Sequence, residues 1–325
     1  MTDEAKPRRW VVEAPCTLRS VLERMHQSAL AVEDGRVFVD RKRCSQLGTR
    51  LEAGTVVDVF PAPSDGGSAV NVLAQRGDLI AVAKPAGLST IPDQRGNAAS
   101  LLDGVAQIVG ERDVTRVHAT SRLDRQVSGV VVFAVGRDAR DAMRQARESS
   151  LYRRHYVALA SQPPEPPSGW VDARIGRGSR PTERKVDGKD AVEARTRYET
   201  VQMVNGIAMV AAEPETGRTH QIRVHLAHVG APLIGDERYG ASKRLVLASG
   251  AVIRPGRIAL HAAWVQVQFA NDDVWRIDAP LPDELRELWR RIGGGTESWD
   301  RGLAPLDPAP PSTASSERGR LEDGE

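Results

Sequence analysis

The 325-residue sequence is poor in cysteine and in aromatic residues, and it contains no long apolar run. Two cysteines, Cys16 and Cys44, are too few for a disulfide framework or a cysteine-based zinc site, so we expect two idle thiols in a reducing compartment. No stretch approaches the roughly 18 apolar residues of a membrane-spanning helix. The N-terminus lacks the apolar core of a signal peptide. The sequence therefore predicts a soluble, cytoplasmic protein without a membrane partner.

Signatures of nucleotide and flavin binding are also missing. The sequence has no Gly-x-x-x-x-Gly-Lys-Ser/Thr phosphate loop and no Gly-x-Gly-x-x-Gly turn between a strand and a helix. Ser128 lacks the Gly-x-Ser-x-Gly context of a hydrolase nucleophile, which disfavours a serine hydrolase. These absences predict that the protein needs no nucleotide or flavin cofactor.

The charged residues are unevenly distributed. The formal net charge is +2, but residues 293–325 carry seven acids and three arginines, which leaves +6 on the first 292 residues. A moderately basic body is compatible with a polyanionic partner such as RNA without establishing one. The acid-, proline- and serine-rich composition of residues 293–325 predicts a disordered tail.

The pattern of apolar residues predicts an α+β fold with a mixed, largely antiparallel central sheet flanked by helices. After an N-terminal extension (1–16), a small module is expected at 17–62, then a linker at 63–69 and a larger domain at 70–292. Apolar runs predict strands near 79–83, 130–135 and 156–160, and Asn205-Gly206 predicts a hairpin turn between two strands. Helical spacing is found at 18–25, 137–148, 219–229 and 285–292.

The first candidate site is Ser121-Arg122-Leu123-Asp124-Arg125, a carboxylate between two arginines directly before an apolar strand. The neighbouring positive charge favours the ionised form of such a carboxylate. A catalytic carboxylate and a plain surface salt-bridge loop are both compatible with this pattern, and the spacing by itself favours the second.

The second candidate is the segment 215–230, in which three histidines and two arginines lie within eleven residues. A helix that begins after glycine favours anions at its N-terminus. On the expected helix 219–229, Arg223 lies on a face turned away from the core. His225 and His228 are one turn apart, but no acidic partner completes a zinc spacing. Anion or RNA contact is therefore favoured over metal, and core or capping histidines remain an alternative.

The third candidate is Tyr152-Arg153-Arg154-His155-Tyr156. Arginines beside aromatic rings suit contact with phosphate and stacking on bases. Alternatively, Tyr156 is only the first core residue of its strand.

Taken in order along the chain, these segments resemble the motifs of the RluA family of RNA pseudouridine synthases. The resemblance covers roughly residues 70–290, and it suggests the pseudouridine synthase fold for that domain. It is carried by Lys84-Pro85-Ala86-Gly87-Leu88, Arg122-Leu123-Asp124, Arg154-His155-Tyr156, Gly217-Arg218-Thr219-His220-Gln221-Ile222-Arg223, Gly235-Asp236-Glu237-Arg238-Tyr239-Gly240 and His261-Ala262. Residues 17–60 are more weakly similar to the S4-like RNA-binding module that precedes many of these domains.

The resemblance implies roles for individual residues. Asp124 would be catalytic, Arg223 would pair with it and Tyr156 would stack on the uracil. Substrate contacts are implied for Arg122, Leu123, Ile222, Lys84, Arg154 and His220, with no metal or cofactor. Ser121 and Val127 stand where the family usually has His and Thr, and Arg154 replaces a Lys.

The resemblance also implies the partner. A structured RNA is expected, with large-subunit ribosomal RNA favoured over tRNA because of the preceding module, and the protein is expected to be a monomer. The alternative is a catalytically silent RNA-binding relative. It is suggested by Ser121, by Val127 and by the N-terminal module, which lacks the usual Ser-Arg pair near Ser28-Ala29-Leu30.

Overall fold

The computed structural model describes residues 8–25, 27, 30–33, 37–40, 42–44, 46–59, 70–92, 100–111, 113–180, 182–247, 250–269 and 273–307. The chain divides into two compact units. Unit 1 comprises Met1–Tyr152 and Val265–Pro280, and unit 2 comprises Arg153–Trp264 and Leu281–Glu325. None of the helices within the described ranges is long and apolar enough to cross a membrane.

The first part of unit 1 is a small α/β assembly with its own apolar cluster. Its helix α1 begins after Thr17, whose hydroxyl accepts a hydrogen bond from the backbone N–H of Ser20, and it buries Leu18, Val21 and Leu22 at helical spacing. An antiparallel sheet has the strand order β1-β6-β3-β4, and β2 pairs with β5. The elements are β1 (Arg8–Val11), β2 (Cys16–Thr17), α1 (Leu18–Arg24), α2 (Leu30–Glu33), β3 (Val37–Val39), β4 (Lys42–Arg43), β5 (Arg50–Leu51) and β6 (Val56–Val59).

The second part of unit 1 contains an antiparallel sheet in the order β10-β8-β7, with β9 added to β10 and β21 to β20. Helix α4 spans the predicted residues 137–148 and buries Met143 and Ala146 against this sheet. The elements are β7 (Asn71–Arg76), β8 (Leu79–Lys84), α3 (Leu101–Ile108), β9 (Val117–Ala119), β10 (Ser128–Val135), α4 (Arg137–Glu148) and β21 (Val274–Asp278), together with the end of β20 (Leu260–Gln268).

Unit 2 is built on an antiparallel sheet in the order β12-β16-β17-β11. The predicted hairpin is confirmed, because Val204 pairs with Ile207 across Asn205 and Gly206. Both turn residues have positive φ, as a two-residue hairpin turn requires. The strands are β11 (Tyr152–Ala160), β12 (Ser168–Asp172), β13 (Ile175–Arg177), β14 (Arg184–Val186), β15 (Lys189–Val192), β16 (Arg195–Val204), β17 (Ile207–Pro214), β18 (Leu245–Val246), β19 (Val252–Ile253) and the start of β20.

The helices of unit 2 are α5 (Gln221–His228), α6 (Asp283–Ile292) and α7 (Glu297–Leu303). The apolar faces of α6 and α7 pack on β11 and β17 through Leu285, Trp289 and Trp299. Because strand ladders predominate and the helices pack on them, the predicted α+β fold is confirmed.

The structure corrects three expectations. Helix α5 begins at Gln221 rather than at 219, because His220 has a left-handed backbone (φ 59°) that cannot continue a helix. Residues 297–303, expected within a disordered tail, form α7, in which Trp299 is buried. Arg8–Val11, assigned to an N-terminal extension, form the edge strand β1. The expected linker 63–69 and the end of the tail (308–325) lie outside the described residues, and the likeness of the N-terminal part to the S4 module stays a prediction.

Candidate active site

Asp124 lies on the loop that leads into β10, with its side chain partly exposed. The backbone on both sides of it is fixed. The hydroxyl of the buried Thr90 accepts the N–H of Leu123 (3.1 Å) and donates to the Leu123 carbonyl (2.9 Å), while the Asp124 carbonyl accepts the N–H of Val127 (2.9 Å). The carboxylate is therefore carried on a fixed backbone, as a catalytic group requires.

Lys84 joins this loop to the turn that follows β8. Lys84 is 1% exposed, and its ammonium group donates to the carbonyls of Pro85 (2.8 Å), Leu88 (2.6 Å) and Arg125 (3.2 Å). Arg125 in turn donates to the Gly87 carbonyl (2.7 Å). The sequence predicted a substrate contact for Lys84. The structure gives it backbone partners that hold two loops together, and contact with RNA stays a prediction.

The neighbours of Asp124 have contrasting environments. Arg122 is exposed, whereas Leu123 is 7% exposed. Ser121, at the position where histidine was expected, has its hydroxyl 3.3 Å from the phenol oxygen of Tyr152. The hydroxyl of Ser121 thus has a partner inside unit 1. The serine that stands here in place of the expected histidine therefore does not leave its own polar group unsatisfied.

In unit 2, Tyr156 and Arg154 lie on strand β11, and both are 7% exposed. The Nη2 of Arg154 donates to the carbonyls of Pro214 (3.1 Å), Glu215 (3.4 Å) and Thr216 (3.0 Å), where the chain leaves β17 towards α5. These bonds fix the turn that leads into residues 217–223. The predicted contact of Arg154 with substrate stays a prediction.

Arg223 was expected on an outward face of α5, and this expectation was wrong. Its side chain is 7% exposed and forms a two-pronged ion pair with Asp236, which is 1% exposed. Nε lies 2.6 Å from Oδ2, and Nη2 lies 2.8 Å from Oδ1. The guanidinium carbon also lies 4.9 Å from the centre of the Tyr239 ring. Paired arginine and carboxylate groups hold each other in one orientation, so the Arg223 fork is preset.

Tyr239 also fixes His220. The phenol oxygen accepts the backbone N–H of Arg184 (3.1 Å) and lies 2.6 Å from Nδ1 of His220. This hydrogen bond and the edge-to-face contact of the two rings hold the imidazole in place. Burial raises the pKa of the Tyr239 phenol.

The remaining polar residues of α5 form a buried network. Gln221 donates to the Thr196 hydroxyl (2.9 Å), and Nδ1 of His225 lies 2.9 Å from that hydroxyl. The Nε2–H of His225 donates to the Ala173 carbonyl (3.0 Å), and burial lowers the pKa of this histidine. His228 is exposed. In the described part of the chain, no group of three or more His, Cys, Asp or Glu side chains could hold a metal ion.

The structure thus groups the predicted residues in two sets. In unit 1, Arg122, Leu123 and Asp124 lie on one loop that Lys84 anchors through the Arg125 carbonyl. In unit 2, His220, Ile222 and Arg223 lie on one short segment, and Arg154 fixes the turn that leads into it. Sequence reasoning assigned no role to Thr90, Asp236 or Tyr239. Asp236 and Tyr239 lie in the Gly-Asp-Glu-Arg-Tyr-Gly segment, and the resemblance of this segment to a family motif was the sequence signal that could have identified them.

Comparison with known proteins identifies the class. Residues 78–228 match the family model described as RNA pseudouridylate synthase. An uncharacterized RNA pseudouridine synthase of Bacillus subtilis, YhcT, is 33% identical over 275 residues, which cover 82% of this chain and 83% of the relative. The human RNA pseudouridylate synthase domain containing 4 shares the fold, with a TM-score of 0.56 at 22% identity over 69% of this chain and 93% of that chain.

Two further relatives carry more specific names. The ribosomal large subunit pseudouridine synthase D of Nitrosomonas europaea is 33% identical, covering 69% of this chain and 65% of the relative. The dual-specificity RNA pseudouridine synthase RluA of Salmonella typhi is 32% identical, covering 64% of this chain and 92% of the relative. The chain therefore belongs to the RluA family of RNA pseudouridine synthases, which are isomerases.

Proposed function

We propose that this enzyme converts specific uridines of large-subunit ribosomal RNA into pseudouridine, with Asp124 as the catalytic residue. The observation that carries the proposal is the anchoring of the Asp124 loop. Hydrogen bonds from Thr90 and Lys84 fix the backbone around a partly exposed carboxylate. A plain surface salt-bridge loop, the alternative left by the sequence, has no need of a buried lysine and threonine beneath it.

The reaction sets what the protein must supply. The bond between ribose and the uracil nitrogen breaks, the base turns, and a new bond forms through carbon 5 of the base. No atom is oxidised and no water is consumed, so the protein's own groups suffice. Asp124 would serve at the sugar as a nucleophile or as a base. Since the uridine must first leave its stack, binding has to offset a cost of about a few kcal/mol.

The other predicted residues have roles around that step. In the proposal, Tyr156 stacks on the uracil and assists movement of a proton, and Leu123 and Ile222 line the pocket. Arg122, which is exposed, holds phosphate or fills the space left by the base. Lys84, Arg154 and His220 support these contacts, and their observed hydrogen bonds also favour a positioning role.

Arg223 is proposed to keep Asp124 ionised and oriented. The ion pair with Asp236 supports this role because it occupies Nε and Nη2 and so fixes the plane of the guanidinium group. A preset cation loses little freedom when it holds a second carboxylate. Asp236 would then be a positioning residue that acts through Arg223.

Ribosomal RNA is favoured as substrate for two reasons. One relative of 33% identity is named as a large-subunit pseudouridine synthase. In addition, the N-terminal part of unit 1 is weakly similar to an RNA-binding module. We therefore expect the enzyme to act in the cytoplasm as a monomer, with tRNA as the alternative substrate.

The proposal is tested by mapping pseudouridine chemically in total RNA from cells with and without the gene. We expect one or a few uridines of large-subunit ribosomal RNA to lose the modification, and to regain it when the gene is restored. Loss restricted to tRNA would refute the ribosomal assignment. Unchanged modification everywhere, together with retained RNA binding, would identify a catalytically silent relative.

A further inference from the structure

Strands β18 and β19 of unit 2 form a two-stranded ribbon with two different faces. Leu245 pairs with Ile253 and Val246 pairs with Val252. Ile253 is 4% exposed and Leu245 packs against the core cluster of unit 2, whereas Val246 and Val252 are 61% and 46% exposed. One face of the ribbon is thus buried, and the other presents an apolar cross-strand pair to solvent.

Three cations lie at one end of this apolar pair. Residues 243–256 include three cations and no acid. Arg244 and Arg254 come one position beyond the Leu245–Ile253 pair, and continuing the alternation of the strands puts them on the same face as the valines. Both are exposed, as is Lys243, whose ammonium group lies 3.9 Å from the exposed carboxylate of Glu237. Among the described residues, neither arginine has a carboxylate within 4.0 Å.

The arginines of helix α4 differ from Arg244 and Arg254 because they have acidic neighbours. On helix α4, for comparison, Arg137 and Arg140 lie 3.7 Å and 3.2 Å from Asp141, and Arg144 lies 3.8 Å from Glu148. Like charges on opposite residues of a two-stranded ribbon destabilise it. A ribbon with two facing arginines is therefore expected where an anion from outside the chain completes the charge balance.

We propose that the β18–β19 ribbon is an RNA-contact surface, in which Lys243, Arg244 and Arg254 bind backbone phosphates and the two valines pack on the sugar. This inference rests on the proposed function. The sequence of residues 243–256 contains no aromatic ring for stacking and no amide or carboxylate side chain for base reading. Contacts to the backbone fix the position of an RNA without selecting its sequence, so the ribbon contributes affinity and not choice of uridine.

The test is the salt dependence of RNA binding. The dissociation constant is measured against salt concentration for an unmodified transcript of large-subunit ribosomal RNA and for tRNA transcripts, with the full-length protein. Each lost phosphate contact lowers the slope of log K against log salt by about 0.7 to 0.9. The triple variant Lys243→Ala, Arg244→Ala, Arg254→Ala should therefore lower the slope by roughly 2 to 3, raise KM and leave kcat unchanged.

A matched control separates contact from net charge. The variant Arg137→Ala, Arg140→Ala, Arg144→Ala removes the same charge from α4, and we expect it to keep the wild-type slope. The variant Val246→Ser, Val252→Ser should weaken binding at every salt concentration without changing the slope. Circular dichroism checks that each variant is folded.

The outcomes distinguish this inference from the proposed function. An unchanged slope in the ribbon variant, or an equal decrease in the α4 variant, overturns the RNA-contact surface. Absence of binding by the wild-type protein to either RNA overturns it as well. If the wild type binds ribosomal RNA without modifying it, the proposed function fails, while the slope comparison still decides the role of the ribbon.

Discussion

The buried pair of Arg223 and Asp236 predicts a large effect of one isosteric change. Asp236→Asn keeps the shape of the side chain but removes its charge, and so leaves a guanidinium group that is 7% exposed without its two-pronged partner. Loss of one member of a buried pair costs about 3–5 kcal/mol. A single domain of this kind has a total stability of about 5–15 kcal/mol, so the change removes a large part of it.

The assay is thermal unfolding followed by circular dichroism. Since about 1 kcal/mol shifts the midpoint by roughly 2–4 °C in domains of 150–250 residues, Asp236→Asn should lower Tm by roughly 6–20 °C. The control is Glu287→Gln, which removes the charge partner of Arg290 in a pair whose side chains are 71% and 51% exposed. That variant should melt at the wild-type temperature. Equal melting of Asp236→Asn and wild type would refute the assigned role of the pair.

This prediction also bears on how Arg223 is tested. Arg223→Ala leaves Asp236 as an unpaired buried carboxylate, so loss of activity would mix a folding defect with a catalytic one. Arg223→Lys keeps the charge but cannot reproduce the two-pronged geometry. We expect the lysine variant to fold and to lose activity, and wild-type turnover by it would contradict the positioning role.

Two further predictions concern the C-terminal segment and pH. Removing 308–325 should leave Tm and activity unchanged. Removing 293–325 should lower Tm by several degrees or more, because it deletes the buried Trp299, at a cost of about 3–5 kcal/mol, and the Gly302 carbonyl that lies 2.7 Å from Nε2 of His155. Equal melting of the two truncated proteins would contradict this. Burial alone would raise the pKa of Glu213, but hydrogen bonds from His155, the Leu306 N–H and Arg153 outweigh it and lower the pKa. A carboxyl whose pKa is lowered by folding stabilises the fold at pH values above its pKa in the unfolded chain, which is about 4.3 for Glu. This stabilisation is lost as the pH falls through the lowered pKa of the folded state. The Tm difference between wild type and Glu213→Gln should therefore shrink from about pH 5 to pH 3, and a constant difference would refute the assignment.

Local patterns predicted much of the fold. Helix α4 has the expected bounds because Gly136 and the charged run 137–148 leave one apolar stripe, Met143 and Ala146, to bury. The hairpin at Asn205-Gly206 forms because both residues tolerate positive φ. In these cases the residues that decide the structure are neighbours in the sequence.

Features set by distant partners were missed. The burial of Arg223 depends on Asp236, 13 residues further along in a segment without helical or strand periodicity. The left-handed His220 is stabilised by Tyr239, and helix propensity gives no sign of it. Helix α7 escaped notice because acidic and glycine-rich composition dominates its sequence, while its stability comes from the packing of Trp299 against α6 and β17. The pairing of Asp124 with Arg223 is a prediction of the same kind.

The measurement that tests the account most directly is single-turnover pseudouridine formation by Asp124→Asn on large-subunit ribosomal RNA. We predict a loss of about a thousandfold or more, with Tm and the dissociation constant for RNA unchanged. Asp138→Asn, which removes an exposed carboxylate from the first turn of α4, serves as the matched control and should keep the wild-type rate. Turnover by Asp124→Asn at near the wild-type rate would contradict the assignment of Asp124 as the catalytic residue.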